Sequence, residues 1–207
     1  MDQIQVSANW MAASGENIED LALRKGVEAL STFSIDLGVS IPVGKDSLSM
    51  RTKWEEGNDQ HTVKSPLSGV ITAMAPVDDV RDAVTTLLKK DTDSQLVLIK
   101  LNDKNRLGGS IFSEVYNQTV EETPDVDSAE IFIKMFKLTQ SLIKEGSIDA
   151  LHDVSDGGLV SAICELAFTA RTGISINLDS IVRDESLLNE VLFNEEIGLI
   201  LQIDKSK

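Results

Sequence analysis

Leu151-His152-Asp153-Val154-Ser155-Asp156-Gly157-Gly158-Leu159 joins a short apolar strand to an amphipathic helix. The strand is expected over 148–152. The helix carries Leu159, Val160, Ile163, Leu166 and Ala167 at the spacing of one helical face. Between them, two carboxylates, a hydroxyl and two glycines fall within six residues. Glycine lets a backbone approach a ligand closely, and the free N–H groups of a helix start attract anions, phosphate above all. A carboxylate beside a phosphate calls for a divalent cation between the two negative groups. The stretch therefore reads as a Mg²⁺–phosphate seat, with Asp153 toward the metal and Ser155 and the Gly157 and Gly158 amides toward phosphate. An Asp/Ser-capped helix after a tight turn would satisfy the same spacing with no ligand at all.

The surrounding chain has 207 residues, enough for one large or two small domains, and 42% of it is hydrophobic, enough for a sizeable core. A net charge of −15 argues against nucleic acid or an anionic membrane surface as a partner, but not against a nucleotide held through a cation. No apolar run is long enough to span a bilayer, and no secretion leader follows Met1. The single cysteine, Cys164, falls on the apolar side of its helix and is expected buried and inert, so no disulfide forms within the chain. His61 and His152 are too few for a histidine-based metal site. These features fit a reducing cytoplasm.

Outward from the central stretch, strands and helices alternate in both halves, which makes the class α/β or α+β with mixed sheets. A strand is expected over 3–7, then a loop of small residues over 7–15 with Trp10 as a packing anchor, and a helix over 18–33. A second strand, 38–43, is placed at an edge or near its end by Pro42. It runs into Gly44-Lys45-Asp46-Ser47, which lacks the earlier glycine of a Walker A loop and reads as a small-anion site or a polar turn. Glu55-Glu56-Gly57-Asn58-Asp59 marks a loop tip or hairpin turn, and 66–74 a returning strand. Val77-Asp78-Asp79 is expected to cap a helix bearing Val80, Val84, Leu87 and Leu88. Asp91-Thr92-Asp93-Ser94-Gln95 is the linker candidate, giving domains 1–92 and 93–207.

In the second half, 96–101 is apolar enough for a strand covered on both faces. Gly108-Gly109-Ser110 opens a helix, Asp127 with Glu130 resembles a capping box, and Gly146 ends the helix that follows. A strand over 174–178, a short helix near Leu187 and a final strand over 199–203 complete the pattern. Glu195 and Glu196 are candidate metal or substrate ligands, or plain solvated loop acids. A strand starting almost at residue one and an end directly after a strand are expected of a piece cut from a longer protein.

Four motifs occur in a telling order: Ser7-Ala8-Asn9-Trp10-Met11; Ile41-Pro42-Val43-Gly44-Lys45-Asp46-Ser47-Leu48-Ser49-Met50; His152-Asp153-Val154-Ser155-Asp156-Gly157-Gly158-Leu159; and Phe193-Asn194-Glu195-Glu196-Ile197-Gly198. Together, across nearly the whole chain, they resemble the large, single-chain phosphoribosylformylglycinamidine synthases of purine synthesis. That resemblance implies an AIR-synthetase-like fold, with 1–92 as the later part of a ferredoxin-like N-terminal domain and 93–207 as most of the α/β C-terminal domain. It implies a cytoplasmic, ATP- and glutamine-dependent ligase that converts formylglycinamide ribonucleotide to the amidine, by phosphoryl transfer to the formyl oxygen and attack by ammonia.

It further implies an auxiliary site holding ADP and Mg²⁺, with Asp153 as a metal ligand and Ser155 on the nucleotide, and it places Gly44, Lys45 and Ser47 toward ATP and substrate. The family's other metal ligands, its first synthetase unit and its glutaminase Cys, His and Glu are not matched; Cys164 does not correspond to that nucleophile. The 207-residue chain is thus expected to be inert without the remaining domains of the same polypeptide. A structural nucleotide-binding role, and a smaller ATP-using relative such as a selenophosphate synthetase or thiamine-monophosphate kinase, are the competing readings; Trp10-Met11 and the segment from Gly44 to Met50 argue against the latter.

Overall fold

The structure, a computed structural model, describes residues 3–90, 93–182 and 184–205. The chain forms two compact units, Met1–Asp78 and Asp79–Lys207. In the first, β1 (Gln5–Met11) is the middle of a three-stranded sheet. β2 (Ser40–Ser47) pairs parallel to it after α1 (Asn17–Leu37), and β5 (Ser68–Met74) pairs antiparallel on its other side. Pro42 sits in this edge strand, where a missing N–H breaks no central ladder.

Trp10 lies within β1 and not in a loop. The small residues around it are small because they are packed: Val6 and Ala8 are buried, and Ala12 and Ala13 have no exposed surface. The indole rests on two glycines, Gly26 of α1 and Gly69 of β5, where an added Cβ would come to 3.0 and 3.2 Å of the ring. α1 starts after Ser14 Oγ and the Gly15 amide donate to Asp20, and stops at Gly38 in the left-handed conformation. Between β2 and β5, β3 (Arg51–Glu56) and β4 (Asp59–Lys64) form the expected hairpin, turning at Gly57.

In the second unit, β6 (Ser94–Lys100), β7 (Ile148–Val154) and β8 (Gly198–Asp204) form an antiparallel sheet in the order β6-β8-β7. α2 (Ile111–Val115) and α3 (Ala129–Lys144) lie between β6 and β7, and α4 (Gly158–Ala170) and α5 (Leu188–Phe193) between β7 and β8. Leu159, Ala162, Leu166 and Ala170 of α4 pack with Ala150, Ile200 and Leu88 as the core. Burying each of these leucine and isoleucine side chains stabilises the fold by about 1.5–3 kcal/mol. β6, expected to be covered on both faces, is an edge strand of this sheet with half-buried side chains.

Three local expectations are not met. The helix expected from 77 onward is a single 3-10 turn, Val80–Asp82, capped by Asp79, which accepts from the Arg81 amide. Beyond it the backbone serves the sheet: the Thr85 carbonyl accepts from the Leu151 amide, and the Gln202 side chain grips both backbone groups of Lys89. Residues 79–90 thereby belong to the second unit, and the units part upstream of the polar stretch 91–95, in which Asp91 and Thr92 lie outside the described residues. The alternating segment 174–178 forms no strand; Ile174 packs on the core while Ile176 is exposed. α3 is capped by Ser128, whose hydroxyl accepts from Ile131 N–H, and not by Asp127, which instead takes hydrogen bonds from Lys104 and Arg106.

Candidate nucleotide-binding corner

β7 ends and α4 begins at the stretch that organised the sequence. His152 is its inward residue, with 14% of its side chain exposed, while the Asp153 side chain is 70% exposed. Ser155 and Asp156 are exposed as well. The corner therefore presents one hydroxyl and two carboxylates to solvent.

The glycines answer a different need from the one expected of them. Gly157 and Gly158 adopt φ of 78° and 70°, a region costly for any other residue. A Cβ on Gly158 would lie 2.6 Å from the Asn194 carbonyl oxygen. The pair thus lets the corner dock against the Phe193–Glu196 turn. The Gly157 N–H donates to Glu195 Oε1 at 2.8 Å, and Gly158 N–H to the Ser155 carbonyl at 2.9 Å. The amides read as phosphate donors are therefore engaged by the chain itself. The same Oε1 of Glu195 accepts from Ile111 N–H at 2.9 Å, at the start of α2 just after Gly108-Gly109-Ser110.

Glu195 and Glu196 are not solvated loop acids. Glu196 is 2% exposed and forms a two-point pair with Arg106, Nε to Oε1 at 2.5 Å and a terminal guanidinium nitrogen to Oε2 at 2.8 Å. Asn102 adds a third hydrogen bond at 3.2 Å. Burial pushes the Glu196 carboxyl up, but these bonds outweigh it and hold the carboxyl below its ordinary range. Arg106 is correspondingly raised by its bond to Glu196. Nothing in the polar run 102–106 distinguished Arg106, because its partner lies far along the chain.

Beside this pair a cavity of about 420 Å³ is lined by Leu98, Lys100, Asn105, Val154, Leu159 and Glu196, among others. Lys100 Nζ donates to the Lys104 carbonyl and to Asn105 Oδ1. Its pKa is lowered by burial.

Metal binding has a limited basis here. Among the described residues no three His, Cys, Asp or Glu side chains converge as a metal-binding group. Mg²⁺ seeks six oxygens, and the corner offers the exposed carboxylates of Asp153 and Asp156, with Asp153 Oδ1 3.5 Å from His152 Nδ1. The residues present do not make a magnesium site of their own. Cys164 is a free thiol, half-buried on α4.

In the first unit, Gly44, Lys45 and Ser47 are not a turn but the exposed end of β2, level in the ladder with Ala8, Asn9 and Met11 of β1. Lys45 Nζ donates to Ser47 Oγ at 2.7 Å, so a cation and a hydroxyl stand together on one face of the strand. Asn9, opposite Lys45, has a buried Oδ1 that accepts no hydrogen bond within the structure.

A family model described as FGAR-AT PurM_N-like domain matches residues 1–76, and one described as AIR synthase related protein, C-terminal domain, matches residues 93–205. Among solved structures, T. maritima PurL complexed with FGAR superposes on 98% of this chain with a TM-score of 0.67 and 14% identity, and PurL complexed with ATP on 99% with a TM-score of 0.63 and 16% identity. E. coli HypE, a hydrogenase maturation protein, gives 0.58 over 98% at 14% identity. The chain spans 31% and 29% of those PurL chains and 59% of the HypE chain. At such identities the likeness is one of fold.

Proposed function

The chain belongs to the AIR synthase related proteins, and on that premise we propose that it is one synthetase-like portion of an ATP- and glutamine-dependent carbon–nitrogen ligase of the phosphoribosylformylglycinamidine synthase type. The observation that carries this reading is the succession of an FGAR-AT PurM_N-like match and an AIR synthase C-terminal match within one chain. Solved PurL complexes with ATP, ADP and FGAR on the same fold support it.

In this reading the corner of β7 and α4 is an auxiliary nucleotide site. Asp153 would hold a magnesium ion only together with oxygens of the nucleotide's phosphates, whose charge that ion would offset, and Ser155 would meet the nucleotide. The Gly157 amide is not a phosphate donor, since Glu195 occupies it. Gly44, Lys45 and Ser47 line a separate ATP and substrate surface, where a lysine offsets anionic charge. Formylglycinamide ribonucleotide is the substrate, the remaining domains of the polypeptide supply the glutaminase, and this portion is inert without them. The setting is cytoplasmic, with neither nucleic acid nor membrane as partner: the net charge is −15, and no helix among the described residues is long and apolar enough to cross a bilayer.

The test is a calorimetric titration of the full chain with ADP and Mg²⁺, beside Asp153→Ala and Ser155→Ala. Binding that weakens about tenfold or more in both variants, with the ligand-free melting point unchanged, supports the site. Equal affinity in all three proteins overturns it.

A second reading follows from the HypE likeness: a smaller ATP-using member of the same superfamily that takes no glutamine. ATP turnover by the natural full-length protein that depends on formylglycinamide ribonucleotide and on glutamine or ammonia excludes it.

A further inference from the structure

Glu195 stands between two anchored residues. Asn194 before it is buried and donates its side-chain amide to the Glu190 and Val191 carbonyls and to Asn105 Oδ1. Glu196 after it is buried against Arg106. From this firm base one oxygen, Glu195 Oε1, accepts two backbone N–H groups from distant parts of the chain: Gly157 at 2.8 Å, where the corner ends, and Ile111 at 2.9 Å, where α2 begins. Amides at helix starts have no partner within the helix, so each needs an acceptor from outside. The corner's own turn is closed by Gly158 N–H donating to the Ser155 carbonyl, and the α2 entry by Glu114 N–H donating to the Ser110 carbonyl. The shared oxygen of Glu195 ties these two turns to each other.

We propose that Glu195 is a positioning residue for the Asp153–Ser155 corner: a clamp whose one oxygen fixes the exit of the corner against the start of α2. The inference deepens the nucleotide-site reading and rests on it. The effect needs an acceptor oxygen at this place and no charge. Both amides donate, and a carboxylate or a side-chain amide oxygen can accept them. With the clamp in place, a ligand meets a corner that is already ordered. Without it both amides lose their acceptor and the turn from Ser155 to Gly158 is loose at its far end. A ligand must then order that turn, which weakens binding. Partners of this outer kind are worth about 10–100-fold in the affinity of the site they support.

The experiment compares wild type, Glu195→Ala, Glu195→Gln and Ser128→Ala in the full chain. Amide hydrogen exchange is read at Gly158 and Glu114, whose own hydrogen bonds do not involve Glu195. Affinity for ADP with Mg²⁺ is read by calorimetry well below every melting point. Ser128→Ala removes a helix-start acceptor elsewhere in the same unit, on α3, and controls for lost stability alone. Glu195→Ala is expected to speed exchange at both amides and to weaken ADP about tenfold. Glu195→Gln is expected to keep wild-type exchange and to bind ADP at least as tightly as wild type. Ser128→Ala is expected to lower the melting point and leave ADP affinity unchanged. Exchange at Gly158 equal to wild type in Glu195→Ala overturns the proposal, as does unchanged ADP affinity in that variant. A Glu195→Gln variant as defective as the alanine one, or a Ser128→Ala variant that weakens ADP as much, overturns it too. If wild type binds no ADP, the nucleotide reading fails, and the exchange comparison alone then decides the positioning role.

Discussion

Arg106 and Glu196 face each other as a two-point ion pair, with 10% and 1% of their side chains exposed, joining the turn after β6 to the turn before β8. Around them Asp127 accepts from Arg106 and Lys104. Removing one member of a buried pair leaves an uncompensated charge at a cost of about 3–5 kcal/mol, whereas replacing both by apolar groups is often neutral. Arg106→Met is therefore expected to lose about 3–5 kcal/mol in urea unfolding, and Arg106→Met with Glu196→Leu to recover most of it. A single variant as stable as wild type would refute this account of the pair.

The same cluster contributes to the acid response. Glu196 lies below its ordinary 4.5, because the Arg106 and Asn102 bonds outweigh burial; Asp127 lies below 3.8, chiefly through the Lys104 hydrogen bond. Folded values below unfolded ones mean that the unfolded chain takes up protons first as the pH falls. The stabilisation is complete above the unfolded values and disappears as the pH falls through them toward the lower folded ones. Unfolding midpoints measured from pH 7 to pH 3 should drop in that window, and Glu196→Gln should flatten the drop.

Two glycines with nearly the same φ separate strain from collision. Gly109 (φ 72°) has open space where a Cβ would go, whereas Gly158 (φ 70°) faces the Asn194 and Leu192 carbonyls. Gly109→Ala should cost about 1–2 kcal/mol, the left-handed penalty alone. Gly158→Ala should cost about 1–3 kcal/mol more, because backbone must move. Thermal denaturation of the two variants side by side measures the difference, and equal costs would mean that the Gly158 contact is soft.

Trp10 gives the first unit a comparable test. Its ring fills the space left by Gly26 and Gly69. Trp10→Ala is expected to destabilise by about 3–5 kcal/mol, and Gly69→Ala by about 1–3 kcal/mol through overpacking. Urea unfolding that leaves Trp10→Ala within 1 kcal/mol or so of wild type would show that the ring is not an anchor.

What could be read in advance was what neighbours in the chain decide. The hairpin tip at Gly57, the helix stop at Gly146 and the strand into His152 all depend on residues a few positions apart. The α3 cap was misread by one residue. Asp127 and Ser128 are both competent caps, and the choice falls to Lys104 and Arg106, which claim the aspartate from another turn. The corner was legible as a place and not as a mechanism: Asp153 and Ser155 are exposed, but the Gly157 amide serves Glu195, the Gly158 amide serves the Ser155 carbonyl, and the missing Cβ of Gly158 makes room for Asn194.

By itself, the sequence determined the alternation of strands and helices, the mixed α/β class and the stretch where β7 meets α4, because periodicity and turn chemistry act over a few residues. Only the tertiary structure decided that 79–90 is a 3-10 turn and an irregular run rather than a helix, that Glu195 accepts the amides at two helix starts and that Glu196 is an interior ion-pair partner. Each of those outcomes turns on a hydrogen bond or a ladder partner tens of residues away. A buried backbone or charged group takes whichever distant partner satisfies it, and no local pattern records which one that will be.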